Sequence, residues 1–199
     1  MRKMLIAAAL LLALVLVLSH RQHAAVETGP GVLAAEIPQQ VDLDHGAVLQ
    51  RDGVSLQTRA HFDITARVLS RKDYSGSSDG DLVPVDLALG WGRMSDSAVL
   101  AKVDISQSGR FYYWHVKAFP IPQREIETSS ANMHMIPADE EVKRQLEDVR
   151  QGQVVHIEGF LVDAMRPGGW HWNTSMTRND TGGGACELIY VESVTVVPN

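Results

Sequence analysis

A lone thiol is the first side chain in this sequence that could do chemistry. Cys186 is the only cysteine among 199 residues, and a thiolate held within reach of an imidazole is a nucleophile. His134 and His115 are the candidate bases. Against that use, Glu187 follows the cysteine directly, and an acid beside sulfur raises the thiol pKa and dulls it. Free cysteine also packs as a small hydrophobe, so burial at the edge of a strand outweighs catalysis. With no second cysteine there is no intramolecular disulfide, and the fold must rest on its apolar core.

Eight histidines raise the question of a metal. His20 and His23 stand three apart, but in a segment with no regular period, where two ligands would make a weak and exposed site. His115, His134, His156 and His171 fall one per expected strand. No HExxH or paired-cysteine spacing is present, so the sequence implies neither a metal nor any other cofactor.

The surface with binding chemistry is aromatic and polar. If Trp170–Arg178 is a strand, then Trp170, Trp172, Thr174, Met176 and Arg178 share one face, and His171, Asn173, Ser175 and Thr177 the other. Two tryptophans beside an arginine can hold a sugar ring or a peptide by stacking and hydrogen bonding. The competing reading has both tryptophans completing the core. Asp180 or Glu187 is the expected ion-pair partner of Arg178, so the candidate binding residues are Trp170, Trp172, Arg178 and Asp180.

These residues are positioned by the stretch 151–197, which reads as three strands separated by two glycine-rich loops. In Val154–Ala164, Val155, Ile157 and Leu161 oppose His156, Glu158 and Phe160, the period of a half-buried strand. Gly159 interrupts both rows, as a residue without a side chain does at a bend or bulge. Pro167-Gly168-Gly169 predicts a chain reversal into the Trp170 strand. After the loop 179–184, Cys186–Val197 predicts a last strand rich in β-formers.

Upstream, Asp52-Gly53 predicts a tight hairpin turn. His61–Leu69 follows, with Phe62, Ile64, Ala66 and Val68 on one face. Residues 75–80 read as a loop, and Val83–Trp91 has no decisive period. Asp96 or Ser95 can cap a short helix over Ser97–Val103. Arg110–Lys117 predicts a strand whose aromatics Phe111 through Trp114 must fall on both faces, so either both are covered or one is a sticky surface. Glu125–Met135 is expected to return as another strand. Pro137 and Asp139 open a helix with Val142, Leu146 and Val149 in one stripe, acids in its first turn and Gly152 beyond its end.

Met4–Leu18 is an unbroken apolar run of fifteen residues behind Arg2 and Lys3. As a helix it would reach roughly 22 Å, short of the ~30 Å hydrocarbon core, the length of a signal-peptide core. The cleavage sites behind it are poor, which favours an uncleaved anchor at 1–19. Both readings put the rest across the cytoplasmic membrane, anchored to the inner membrane or secreted, with the domain in the periplasm. Residues 20–40, punctuated by Gly29-Pro30-Gly31 and Pro38, are expected to be a tether, and 41–199 a single domain.

Composition bounds the partners. The net charge is −6, and setting aside Arg2 and Lys3 leaves 16 basic against 24 acidic residues, or −8. Without a basic run, a groove that tracks phosphates has little support, and no nucleic-acid partner is expected.

From Arg110 the order is strand, strand, helix, strand, strand, strand. A helix between the third and fourth strands of a small barrel, with Val149-Arg150, Gly152, Val154 and Gly159 at its exit, is similar to OB-like folds. The fold class is therefore α+β, mainly β: a small twisted OB-like barrel with one amphipathic helix. Thr181–Cys186 resembles the glycine-rich approach to the cysteine of L,D-transpeptidases, but Glu187 departs from the basic residue that family carries. ARVLSRKDY (66–74), VDLALGWGRMSD (85–96), ISQSGRFYYW (105–114), SANMHMIPAD (130–139) and residues 170–192 together resemble a family of uncharacterised bacterial envelope proteins with an N-terminal hydrophobic segment. That resemblance implies one coherent extracytoplasmic domain and adds no chemistry.

Two functions follow. One is a non-catalytic envelope module that binds a protein partner or an envelope glycan through its aromatic strand edges, with an exposed Trp–Arg surface and a buried Cys186. The other is a thiol enzyme acting on peptide or envelope substrates, which needs Cys186 exposed beside His134.

Overall fold

The computed structural model describes residues 24–198. The expected anchor at 1–19 lies outside the described residues, among which no helix is long and apolar enough to cross a membrane. Strands make up 44% of the described residues and helices 16%, so the expectation of a mainly β chain holds.

The strands are β1 (Gln39–Asp42), β2 (Val48–Arg51), β3 (Val54–Asp73), β4 (Val85–Gly90), β5 (Asp104–Ser108), β6 (Phe111–His115), β7 (Ser130–Pro137), β8 (Val154–Met165), β9 (His171–Trp172) and β10 (Glu187–Val197). The helices are α1 (Ser78–Leu82), α2 (Ser97–Leu100), α3 (Gln123–Thr128) and α4 (Glu140–Asp148), with a 3-10 turn at Gly92–Ser95. Strand β3 pairs with β4, β4 with β7, β7 with β10, β10 with β8, and β8 again with β3, so part of the twisted sheet closes into a ring. All these pairs are antiparallel except β7 with β10. Strands β1, β2 and β9 add at the margins, and β5 and β6 form a separate two-stranded hairpin.

Ring closure asks one strand to serve two neighbours. The twenty residues of β3 do so, with register shifts at Thr58/Ala60 and Val68/Ser70 that bend the strand between partners. Its alternation fills the ring: Phe62, Ile64, Ala66 and Val68 are buried with Leu87, Leu89, Met133, Met135, Ile157, Leu161, Ile189 and Val191. Burying each large apolar side chain contributes about 1.5–3 kcal/mol. The turn between β2 and β3 has positive φ at Asp52 and Gly53, as the sequence requires.

Helix α4 is built as its sequence predicts. Asp139 caps it by accepting from the Glu141 and Val142 amides, and Val142, Leu146 and Val149 enter the same core as the ring strands. It connects β7 to β8, two strands that are separated in the ring by β10.

Gly159 marks a bulge, with the shift falling opposite it, between Val191 and Ser193 of β10. A Cβ on Gly159 would lie 2.0 Å from the Tyr190 carbonyl oxygen. The glycine is therefore a steric requirement of β8 meeting β10.

Three expectations are corrected. Glu125–Met135 is not one strand: Pro122 opens α3, which ends at Thr128, and β7 begins at Ser130. The strand expected over Trp170–Arg178 is only His171–Trp172, because the main chain beyond it is held by side chains. Thr174 N donates to Asp163 Oδ1 at 3.0 Å, and Leu188 N donates to Thr174 Oγ1 at 3.0 Å. The described part of the expected tether, residues 24–40, is laid along the body. Val26 N donates to Gln151 O, Gly92 N to Ala34 O, and the Leu33 and Ala34 amides to Ser95 Oγ, with Ala34 buried.

Candidate functional site

The site starts from the hairpin that sequence periodicity did not resolve. Gly109 and Arg110, both at positive φ, form its two-residue turn, and Ser108 pairs with Phe111 across it. In β6 the side chains alternate. Tyr112 and Trp114 pack against Leu69, Ala88, Met94, Ile121 and Ile126, whereas Phe111 and Tyr113 stand 42% and 52% exposed with ring centroids 6.4 Å apart. One face of the aromatic run is thus covered and the other open.

A buried charge cluster fastens this hairpin to the ring. Asp86, fully buried in β4, accepts from Arg110 Nη1 at 2.8 Å, and the same oxygen lies 2.8 Å from His134 Nδ1 on β7. Arg110 Nη2 also donates to the carbonyls of Val83 and Asp79, and the guanidinium stacks 3.5 Å from the Tyr74 ring centre. Gln107 Nε2 donates to Asn132 Oδ1 at 2.7 Å, Asn132 Nδ2 to Arg110 O at 3.1 Å, and Tyr112 OH to Ser130 Oγ at 3.1 Å. A buried charge survives only when paired in this way.

Across from β6 runs the loop 173–186. Ser175 N donates to Cys186 O and Ser175 Oγ to Asp180 Oδ2, while Arg124 Nη2 ties the loop to α3 through Asn179 O. Between loop and hairpin lies a cavity of about 280 Å³. Phe111–Trp114 form one wall, Ser130–Asn132 lie at the start of β7, and Arg178, Asp180 and Ala185–Glu187 close the far side.

Of the residues singled out in the sequence, Cys186, Arg178 and Asp180 line this cavity. Trp170 and Trp172, both half-buried, pack against a second apolar cluster that includes Leu56, Ile136 and Leu188, the arrangement of the competing reading and not an open tryptophan face. Trp172 lies 4.6 Å from the His134 ring and 5.6 Å from the Arg110 guanidinium, and Trp170 is covered by Arg166 at 4.1 Å. Arg178 shares none of these partners. Its Nε is 2.5 Å from Glu187 Oε1, and it reaches Gln40 and Ser175 O.

The thiol does not sit in a nucleophile's environment. Cys186 Sγ is 3.9 Å from both Arg110 O and Asn132 Nδ2, and burial, with Glu187 adding, pushes the thiol up to about 11. About one molecule in ten thousand would carry the thiolate at neutral pH. His134 is engaged by Asp86 instead, and exposed His115 is not among the residues lining the cavity.

In the sequence Glu187 stood out as the acid beside Cys186 and as a possible partner for Arg178, but not as a buried group. It is fully buried, and burial pushes its carboxyl up to about 8 against the pull of Arg178. Asp86 was missed altogether, although a single acid in the apolar run 82–89 is itself a signal that a buried partner must exist. Asp63, His156 and Glu158 also approach one another, with potential ligand atoms within 4.8 Å. Strand register accounts for that proximity, since Asp63 faces Glu158 and Thr65 faces His156, whose Nδ1 lies 3.0 Å from Thr65 Oγ1.

Comparison of the chain with family models, with curated proteins and with solved structures returned no match.

Proposed function

We propose that the protein is a non-catalytic binding module of the bacterial envelope, held at the inner membrane by its N-terminal apolar segment and facing the periplasm. The domain is an OB-like barrel: the ring order β3-β4-β7-β10-β8, with α4 between its third and fourth strands in chain order, supports that reading. Folds of this type host many activities, so the function is argued from the site.

The observation that carries the reading is the cavity beside β6. It combines exposed Phe111 and Tyr113 with a neighbouring thiol that is kept protonated. Aromatic walls with a few fixed polar groups suit recognition of an envelope protein or glycan. The Trp170–Trp172 pair supports the barrel surface beneath, and the ligand contacts pass to Phe111, Tyr113 and the loop carrying Arg178 and Asp180.

The test is capture from an envelope extract by the full chain in detergent, comparing wild type with Tyr113→Ser and with Val196→Ser, an exposed apolar residue on β10. A component lost with Tyr113→Ser and retained with Val196→Ser supports the cavity. Equal recovery by all three proteins contradicts it.

A further inference from the structure

We infer that the cavity is a strand-addition groove, in which an extended segment of a partner polypeptide, carrying lysine or arginine between apolar residues, pairs with the free edge of β6. This rests on the binding reading above and narrows its ligand to a peptide.

The edge follows from register. Ser108 opposite Phe111 closes a two-residue turn, so the pairs Ser108–Phe111, Ser106–Tyr113 and Asp104–His115 exchange the hairpin's main-chain hydrogen bonds. The amides and carbonyls of Tyr112 and Trp114 then point away from β5. No other strand pairs with β6, and those groups find no main-chain partner among the described residues. A row of unsatisfied donors and acceptors is a template for another strand.

The cavity runs along that edge, since all four residues from Phe111 to Trp114 line it. Its other boundary is also a half-used strand. Ser130, Ala131 and Asn132 pair with β4, but β10 joins β7 only from Met133 onward.

Four of the polar side chains that line the cavity are already committed. Asn132 binds Gln107 and Arg110 O, Ser130 binds Tyr112 and Ile126 O, Arg178 faces Glu187, and Asp180 holds Ser175. A glycan needs such side chains free, whereas an extended peptide uses the main-chain groups that are free. A volume of about 280 Å³ suits one or two side chains of an extended segment. Three carboxylates, Glu127, Asp180 and Glu187, line the cavity against one lining cation, Arg178, which is turned to Glu187; Glu127 also meets the exposed Arg124 at 3.4 Å on its own helix. That balance favours a basic residue in the ligand.

The experiment uses the full chain in detergent and fluorescently labelled, end-blocked pentapeptides of alternating valine and lysine, read by anisotropy. Three forms are compared: the parent, one with glutamate in place of lysine, and one N-methylated at alternate amides. The expected result is saturable binding of the parent below about 1 mM, weakened at least about tenfold by N-methylation or by glutamate, and about fivefold by Tyr113→Ser. Equal binding of the N-methylated form overturns strand addition, as does failure of the parent to bind. If the parent fails while extract capture still depends on Tyr113, the groove mechanism is wrong and the cavity reading stands. Capture that survives protease treatment of the extract assigns the cavity to a glycan instead. Loss of both signals removes both proposals.

Discussion

Arg178 Nε lies 2.5 Å from Glu187 Oε1 beside the apolar core of the ring, where the carboxylate is fully buried and the guanidinium sits 5.3 Å from the Phe62 ring centre. Burial nevertheless dominates and raises the Glu187 pKa from 4.5 to about 8. In that window the folded state holds a proton that the unfolded state has released. This contribution to stability is therefore complete below about pH 4.5 and is lost as pH rises toward 8. One such proton sets a limit of about 1.4 kcal/mol per pH unit. Glu187→Gln, which mimics the protonated acid, is expected to flatten that slope, checked by urea unfolding across the window. A wild-type slope unchanged in the variant would show that Glu187 is charged in the folded protein.

Asp86 is the clamp between hairpin and ring. Asp86→Asn removes the charge that Arg110 and His134 share, leaving the buried Arg110 contact uncompensated. A loss of about 3–5 kcal/mol is expected, measured by chemical denaturation. A change under about 1 kcal/mol would mean the pair contributes no more than a surface ion pair.

Gly159 and Gly183 make a matched comparison. Alanine at Gly159 meets the Tyr190 carbonyl at 2.0 Å, whereas nothing lies within 4 Å of a Cβ on Gly183. Gly159→Ala is expected to cost at least about 2 kcal/mol, and Gly183→Ala to stay within about 0.5 kcal/mol. Thermal melts of the two variants check this, and similar melting temperatures would remove the steric account of the bulge.

The legible parts of the fold were those whose signals are local. The alternation of Phe62, Ile64, Ala66 and Val68, the Asp52-Gly53 turn and the stripe and cap of α4 each depend on residues a few positions apart. Strand β4 was not legible because all six of its residues are buried, which erases period two. Strand β5 turns Ile105 and Gln107 toward the body, and a single apolar residue on that face is too little to set an alternation in the sequence. The Trp170 strand was over-read: alternation was present, but Thr174 and Ser175 spend their side chains holding a loop. Of the residues singled out in the sequence, Cys186, Arg178 and Asp180 line one cavity. Their setting was hidden, because it is made by a hairpin more than sixty residues earlier in the chain.

The most direct test of a binding module as opposed to a thiol enzyme is the rate of maleimide labelling at Cys186 in the full chain near neutral pH, with and without His134→Ala. With the thiol raised from 9.0 to about 11, labelling is expected to be at least about a hundredfold slower than in the denatured chain and indifferent to His134→Ala. Rapid labelling of the folded protein that slows when His134 is replaced would establish an activated thiol and contradict the account.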